Sequence, residues 1–399
     1  MASYAQILTG DTAPWFRQRS FSNPNFAFDT VGGRYVVLCF FGMAADPHSR
    51  AALDAMLGLP EIFNDVQAAF FGVSLDPGDA SENRIADSYP GYRYFLDFDG
   101  AVSRLYGAIP SDVQPAPDTP VEARRFWIVL DPTMRVIRAI PFAEDRGDIA
   151  EIAAFLKALP PAARFAGFEL QAPVLFLPNV FEPEFCAQLI GLYEQHGGEE
   201  SGFMREVDGK TVAVTDAAHK RRKDYTIEDQ SIVKATQARF IRRVVPQIRK
   251  AHQYEVTRME RYLVACYAAE DEAHFRAHRD NTTKGTAHRR FAVSVNLNDD
   301  FDGGEVSFPE FGPRGYKPPV GGAVVFSCSL LHAVSKVTSG RRFAFLPFLY
   351  DDAAAKIREA NNQYLGEGVN AYSPGTRAVA EAVQKDDPLI LGDHFRFGN

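Results

Sequence analysis

The sequence predicts two domains of different class: an α/β layer domain first, then a β-rich α+β domain of sandwich or jelly-roll type. Three observations predict this. The length, 399 residues, exceeds the roughly 250–300 residues at which single cores stop growing. Up to about residue 160, continuous apolar runs alternate with helical patterns. From 260 to 350 the pattern becomes short strands separated by turn residues, as in sandwiches and jelly rolls.

The first strand is 35–41 (YVVLCFF), an unbroken apolar run suited to burial on both faces, and 68–75 (AAFFGVSL) is a second. A short strand follows at 94–97. Residues 125–130 (RFWIVL) and 136–140 flank Asp131-Pro132-Thr133, a hairpin-like turn. Helices are expected at 49–57, 81–88 and 148–159. Leu159-Pro160-Pro161 then breaks the pattern and marks a boundary, giving a first domain of 1–160.

Gly10-Asp11-Thr12-Ala13-Pro14, the strand ending at Phe41, Asp97-Phe98-Asp99-Gly100 leading to Tyr106-Gly107, and the RFWIVLDP hairpin together resemble the thioredoxin-like fold of the peroxiredoxins over residues 5–158. That family places a reactive Cys before a Pro at the start of the helix after the first strand. Here the segment reads Gly42-Met43-Ala44-Ala45-Asp46-Pro47, so Asp46 stands where the thiol is expected. Peroxidase chemistry needs a thiolate. The domain is therefore expected to be redox-inactive and to serve packing, docking or dimerisation.

The second domain, 161–352, opens with a strand at 173–177 and a helix at 183–195. Residues 205–229 are polar, hold the basic cluster Lys220-Arg221-Arg222-Lys223, and are expected to be irregular: a solvated loop or a mobile substrate-covering flap. Residues 232–254 read as a helix that Pro246 can kink. Strands are expected at 261–267, 291–298, 304–308, 322–327 and 342–350. A C-terminal extension, 353–399, starts helical and becomes Pro/Gly-punctuated.

Chemistry enters at His278-Arg279-Asp280. In an extended strand residues i and i+2 share a face, which sets an imidazole beside a carboxylate. His332 follows fifty-two residues after Asp280, just beyond a strand. Two His and one carboxylate are the ligand set of Fe(II) oxygenases and leave positions open for co-substrate and O₂. A structural zinc site would need a fourth ligand, usually cysteine, and no Cys pair is present. Ten residues after His332 lies Arg342, whose guanidinium suits the distal carboxylate of 2-oxoglutarate. Alternation sends neighbouring Arg341 to the opposite, solvent face.

The Leu263–Tyr267 strand, the H-x-D, Asn296-Leu297-Asn298, Phe301-Asp302-Gly303-Gly304-Glu305, Pro319-Val320-Gly321-Gly322, His332 and Gly340-Arg341-Arg342 resemble the prolyl-4-hydroxylase-like 2-oxoglutarate/Fe(II) dioxygenases over residues 173–352. The resemblance implies a double-stranded β-helix (jelly-roll) fold. It implies Fe(II) as cofactor and 2-oxoglutarate and O₂ as cosubstrates, with ascorbate a candidate reductant. It also implies Tyr267 as a hydroxyl donor to 2-oxoglutarate, although Tyr267 also fits a core aromatic. Asn296 stands where relatives carry a second Tyr and could donate a hydrogen bond there. No catalytic side chain is expected beyond the metal centre.

The expected function is hydroxylation of a prolyl residue in a protein or peptide. Hydroxylation of a free small molecule, or a non-catalytic scaffold, are the alternatives. Net charge −8 excludes wholesale binding to nucleic acid or anionic membrane. No apolar run reaches a membrane span, and the N-terminus lacks the pattern of a secretory signal. Four dispersed cysteines are expected to be reduced thiols, placing the protein in the cytoplasm. A homodimer is a candidate assembly.

Overall fold

The computed structural model describes residues 3–115 and 121–372. The chain divides into two compact units, the first built from Met1–Ala172 with Ser307–Gly315 and Leu331–Ala333, and the second from the rest of the chain after Ala172.

The first unit is a five-stranded sheet in the order Tyr92–Leu96, Ala68–Ser74, Tyr35–Gly42, Phe126–Leu130, Val136–Pro141. The first three strands are parallel and the last two antiparallel to their neighbours. The central strand divides its side chains by alternation: Tyr35, Val37, Cys39 and Phe41 enter one core, Val36, Leu38 and Phe40 the other. Helices Pro47–Leu57 and Gly147–Ala158 close the first core through Leu53, Met56, Ile152 and Leu156. Each such side chain contributes roughly 1.5–3 kcal/mol when fully buried.

Two expectations fail here. Residues 81–88 are not a helix; a single turn, Pro77–Ser81, takes their place. Asp79 is fully buried, and its carboxylate accepts from the Ala44 amide at 2.9 Å and the Ser74 hydroxyl at 2.7 Å. This fixes the chain in a turn that Asn83, at φ 54°, then exits. Conversely, a short helix at Ala101–Leu105 had no sequence expectation; Asp97 caps it by accepting from the Val102 and Ser103 amides.

The second unit centres on a ten-stranded antiparallel sheet. Its main path runs Arg258–Glu260, Phe348–Tyr350, Phe291–Asn296, Val337–Phe345, Leu263–Ala268, Lys223–Thr226, Glu199–Glu200. Alternation again decides function. Val264, Cys266, Val293, Val295, Phe343 and Phe345 face helices Pro183–His196 and Gln230–Arg243 in one apolar core. Residues of the opposite parity, including Tyr267, Ser294, Asn296 and Arg342, face the other way and carry the polar groups. A smaller sheet holds Lys220–Arg221, His274–His278, His332–Val334, Val306–Ser307 and Gly315–Tyr316.

The expected helix 232–254 is two helices, Gln230–Arg243 and Val245–His252, with Pro246 in the first turn of the second, where its missing N–H costs nothing. The expected irregularity of 205–229 is overturned, although much of 205–218 is exposed. Phe203–Val207 and Lys210–Val214 form a hairpin joined by Asp208-Gly209, with φ of 48° and 73°. Lys220–Arg221 pairs with the strand leading to His278, and Lys223–Thr226 joins the main sheet. Of the C-terminal extension, a helix Asp352–Ala360 forms, and 373–399 lie outside the described residues. Among the described residues no helix is long and apolar enough to cross a membrane.

Candidate metal and cosubstrate site

His278 is the last residue of its strand, Asp280 lies just past the strand end, and His332 opens the strand His332–Val334. One potential ligand atom from each lies within 4.8 Å of the others, the one such cluster among the described residues. The His278 Nδ1 lies 2.8 Å from the Arg276 carbonyl oxygen. A carbonyl only accepts, so Nδ1 carries the proton and Nε2 keeps a lone pair, 3.6 Å from Asp280 Oδ1. The Phe275 ring stacks on His278 at 3.5 Å between centroids and holds the imidazole plane. First-row metal bonds of about 2.0–2.2 Å require only small side-chain adjustments to converge.

Arg342 is 1% exposed. Its Nη2 donates to Ser294 Oγ at 2.7 Å and Asn296 Oδ1 at 3.0 Å, and Nε donates to the same Asn296 oxygen at 3.1 Å. Nη1 is buried with no hydrogen-bond partner. Burial lowers the pKa of this guanidinium to about 10, so the group is charged at neutral pH. A buried cation with an idle N–H edge is complete only when an anion meets it. Arg341 points the other way, its side chain 46% exposed and 3.2 Å from Glu194. The strand itself begins at Val337, five residues earlier than the sequence suggested for Arg342.

Tyr267 is buried opposite Arg342 in register, its ring 5.4 Å from the guanidinium carbon. Its hydroxyl oxygen accepts from Arg222 Nη1 at 3.3 Å, which leaves its own proton free to donate. Asn296 lies beside Arg342 on the same polar face. Its amide nitrogen donates to the Pro318 carbonyl at 2.9 Å and its oxygen receives Arg342, so it orients the arginine.

Sequence reasoning missed three contributors. Ser294 was available by period two from Asn296. Arg222 and Asp224 were not, because only the tertiary structure buries them. Their bidentate pair has bonds of 2.7 and 2.6 Å. Burial opposes the Asp224 charge, but Arg222 outweighs it and holds the carboxyl at about 2.

In the first unit Asp46 is the N-cap of Pro47–Leu57. It accepts from the Ser49 amide at 2.9 Å and pairs with Arg125. Burial works against its ionisation, yet Ser49 and Arg125 hold its carboxyl below the usual range. An anion thus occupies the helix N-terminus without a nucleophilic sulfur. Cys39 is fully buried in the sheet, and burial pushes its thiol far up.

Comparison with known proteins agrees with both units. Residues 243–350 match the 2OG-Fe(II) oxygenase superfamily and residues 9–139 the AhpC/TSA family. The chain is therefore similar to the AhpC/TSA family in one segment and to the 2OG-Fe(II) oxygenase superfamily in another. Similar solved structures include a Trichoplax adhaerens prolyl hydroxylase in complex with a hypoxia inducible factor peptide fragment. It is 18% identical, with 47% of this chain and 86% of that one covered, at a TM-score of 0.35. A Pseudomonas putida prolyl-4-hydroxylase is 15% identical, with 45% and 93% covered and a TM-score of 0.35. Peroxidoxin BcpB from Mycobacterium tuberculosis is 22% identical, with 39% and 99% covered and a TM-score of 0.32. The C-terminal half resembles the prolyl-4-hydroxylase-like dioxygenases, and the N-terminal part resembles a peroxiredoxin whose catalytic cysteine is replaced.

Proposed function

We propose that this protein is an Fe(II)- and 2-oxoglutarate-dependent dioxygenase that hydroxylates a prolyl residue in a protein or peptide. The observation that carries the reading is the idle, buried Nη1 edge of Arg342. It lies on the polar face of the sheet that carries Ser294 and Asn296, in a protein that also holds a two-His, one-carboxylate cluster. His278, Asp280 and His332 would hold the metal. Bound Fe(II) supplies the oxidation: O₂ and 2-oxoglutarate are consumed, one oxygen atom enters the substrate C–H bond as hydroxyl, and succinate and CO₂ leave.

The chain's own residues bind and orient. Arg342 receives the distal carboxylate of 2-oxoglutarate, and Ser294 and Asn296 fix its plane. Tyr267, held by Arg222, offers its hydroxyl proton to the same ligand. The Arg276 carbonyl keeps the His278 proton on Nδ1. We also read the two sheets of this unit as the faces of a double-stranded β-helix. The first unit serves as a docking module, and the four buried free cysteines support a cytoplasmic setting.

The test is anaerobic loading with Fe(II) and 2-oxoglutarate, exposure to air with a cell lysate, and mass spectrometry. Succinate formation and a +16 Da prolyl product are expected, both lost in His278→Ala. Succinate release equal in the wild type and His278→Ala would sink the oxygenase reading. A +16 Da change confined to a free metabolite would transfer the reaction to a small molecule.

A further inference from the structure

We propose that the substrate of this site carries a carboxylate or similar negative group, and that Arg205 and Arg276 receive it beside His278. The inference rests on the oxygenase reading and adds the chemical class of the substrate to it.

A chain of rings runs from the hairpin to the metal cluster. Phe203 lies 4.5 Å from His219, and His219 lies 6.4 Å from His278. Arg205 stands over the outer ring of this chain, 5.2 Å from the Phe203 centroid. Arg276 lies two residues before His278, on the same strand. Both guanidinium groups are exposed, and neither has an ion pair or side-chain hydrogen bond among the described residues. Both guanidinium groups act electrostatically on the His219 ring, and Asp216 opposes them there.

The nearby basic cluster behaves in the opposite way. Lys220 donates to Ser201 and Gly202, Arg222 pairs with Asp224, Arg221 reaches Glu272 at 3.4 Å and Lys223 reaches Asp271 at 2.8 Å. Three of those charges meet a carboxylate, and the fourth, Lys220, is buried and hydrogen-bonded to neutral oxygens. In a chain of net charge −8, two exposed arginines that act on the His219 ring, against the opposing Asp216, leave a local excess of positive charge. The ring chain supplies an apolar wall for the part of the substrate that enters, and the arginines supply the charge contact at its rim.

The carboxylate can come from an acidic residue flanking the target in a peptide or from a free small acid, and two arms distinguish them. With Mn(II) and saturating 2-oxoglutarate bound to the full chain, one arm measures binding of labelled proline-centred peptides flanked by Glu, Gln or Lys. The other compares L-proline with prolinamide. The expected result is roughly fivefold to tenfold tighter binding of the carboxylate-bearing ligand in one arm. That preference should vanish in Arg205→Gln/Arg276→Gln and reverse toward Lys-flanked peptides or prolinamide in Arg205→Glu/Arg276→Glu. No preference in either arm, or a preference unchanged in both double variants, overturns the proposal. Calorimetry of 2-oxoglutarate with Mn(II) on the unaltered chain tests the oxygenase reading separately. No binding there, with the charge preference intact, would remove that reading and leave an anion-binding cleft.

Discussion

Replacing Arg342 by methionine removes the charge and the fork while keeping much of the side-chain volume. In the wild type the guanidinium spends Nε and Nη2 on Ser294 and Asn296 and leaves Nη1 without a partner. A carboxylate arriving there gains a charge-assisted contact in a site from which water is excluded. Truncating one partner of such a buried pair costs about 2–5 kcal/mol, which corresponds to a rise in Kd of roughly 30-fold to several thousandfold. The assay is anaerobic calorimetry of 2-oxoglutarate into the Mn(II)-loaded protein. Arg341→Met is the control, and because that side chain is half exposed on the opposite face, its Kd should stay within about twofold. Thermal unfolding adds a second readout. Without ligand, Arg342→Met removes an uncompensated buried charge, so its Tm should hold or rise, while the upward shift that 2-oxoglutarate gives the wild type disappears. Equal losses for Arg341 and Arg342, or a wild-type Kd in Arg342→Met, would refute the assignment of the strand faces and of the anchor together.

Asp280→Ala should abolish stoichiometric Mn(II) binding in equilibrium dialysis; retention of one tightly held ion would show that the cluster is not the metal site. Asp224 bears on acid stability. Its folded pKa of about 2 lies below the ordinary value near 3.8, so it contributes stability above pH 4 that is lost as pH falls toward 2. Asp224→Asn should therefore flatten the pH dependence of unfolding in that window by on the order of 2 kcal/mol, and an unchanged slope would count against the pairing with Arg222. Peroxide with a thiol reductant should be consumed no faster than in Cys39→Ser, because Cys39 is buried and Asp46 occupies the helix N-terminus. Truncation after Ala360 should accelerate hydrogen exchange of amides in 203–214 at least tenfold; unchanged protection would show that the C-terminal segment does not hold the hairpin.

Much of this was legible because strand alternation is a strict rule. The period of two placed Arg342 inward and Arg341 outward, and the same parity groups Tyr267, Ser294 and Asn296 on the polar face. The unbroken apolar run at 35–41 signalled a strand buried on both faces, and it is the central strand of the first sheet. What failed depended on contacts distant in sequence. The polarity of 205–229 suggested solvation, yet Lys220 and Arg222 are buried because Ser201, Gly202 and Asp224 satisfy them. One local signal there was passed over: Asp208-Gly209 between strand-forming residues is a strong hairpin mark. Asn296 was assigned by analogy with a Tyr, and its contacts with the Pro318 carbonyl and Arg342 were not legible in the sequence.

The hairpin also changes what the covering segment can be. A free flap would carry few contacts, but the strand Lys210–Val214 is held along its length. Thr211 is fully buried, its hydroxyl accepts from the Gly285 amide at 2.9 Å, and its carbonyl accepts from Gly366 at 2.8 Å. Lys210 Nζ donates to the Gln363 carbonyl at 2.7 Å. Residues 363–367 thus run beside the hairpin as an added strand-like edge, linked by a parallel bridge between Thr211 and Leu365. Each backbone hydrogen bond contributes only about 0.5–1.5 kcal/mol net, so the strap holds the hairpin firmly yet can release it at a cost a bound substrate could offset. The other strand brings Phe203 to the rings beside His278 and Arg205 to the rim. The same two-stranded element therefore joins the C-terminal segment on one side to the rings beside His278 on the other. Displacing Lys210–Val214 from residues 363–367 would break the bonds between them.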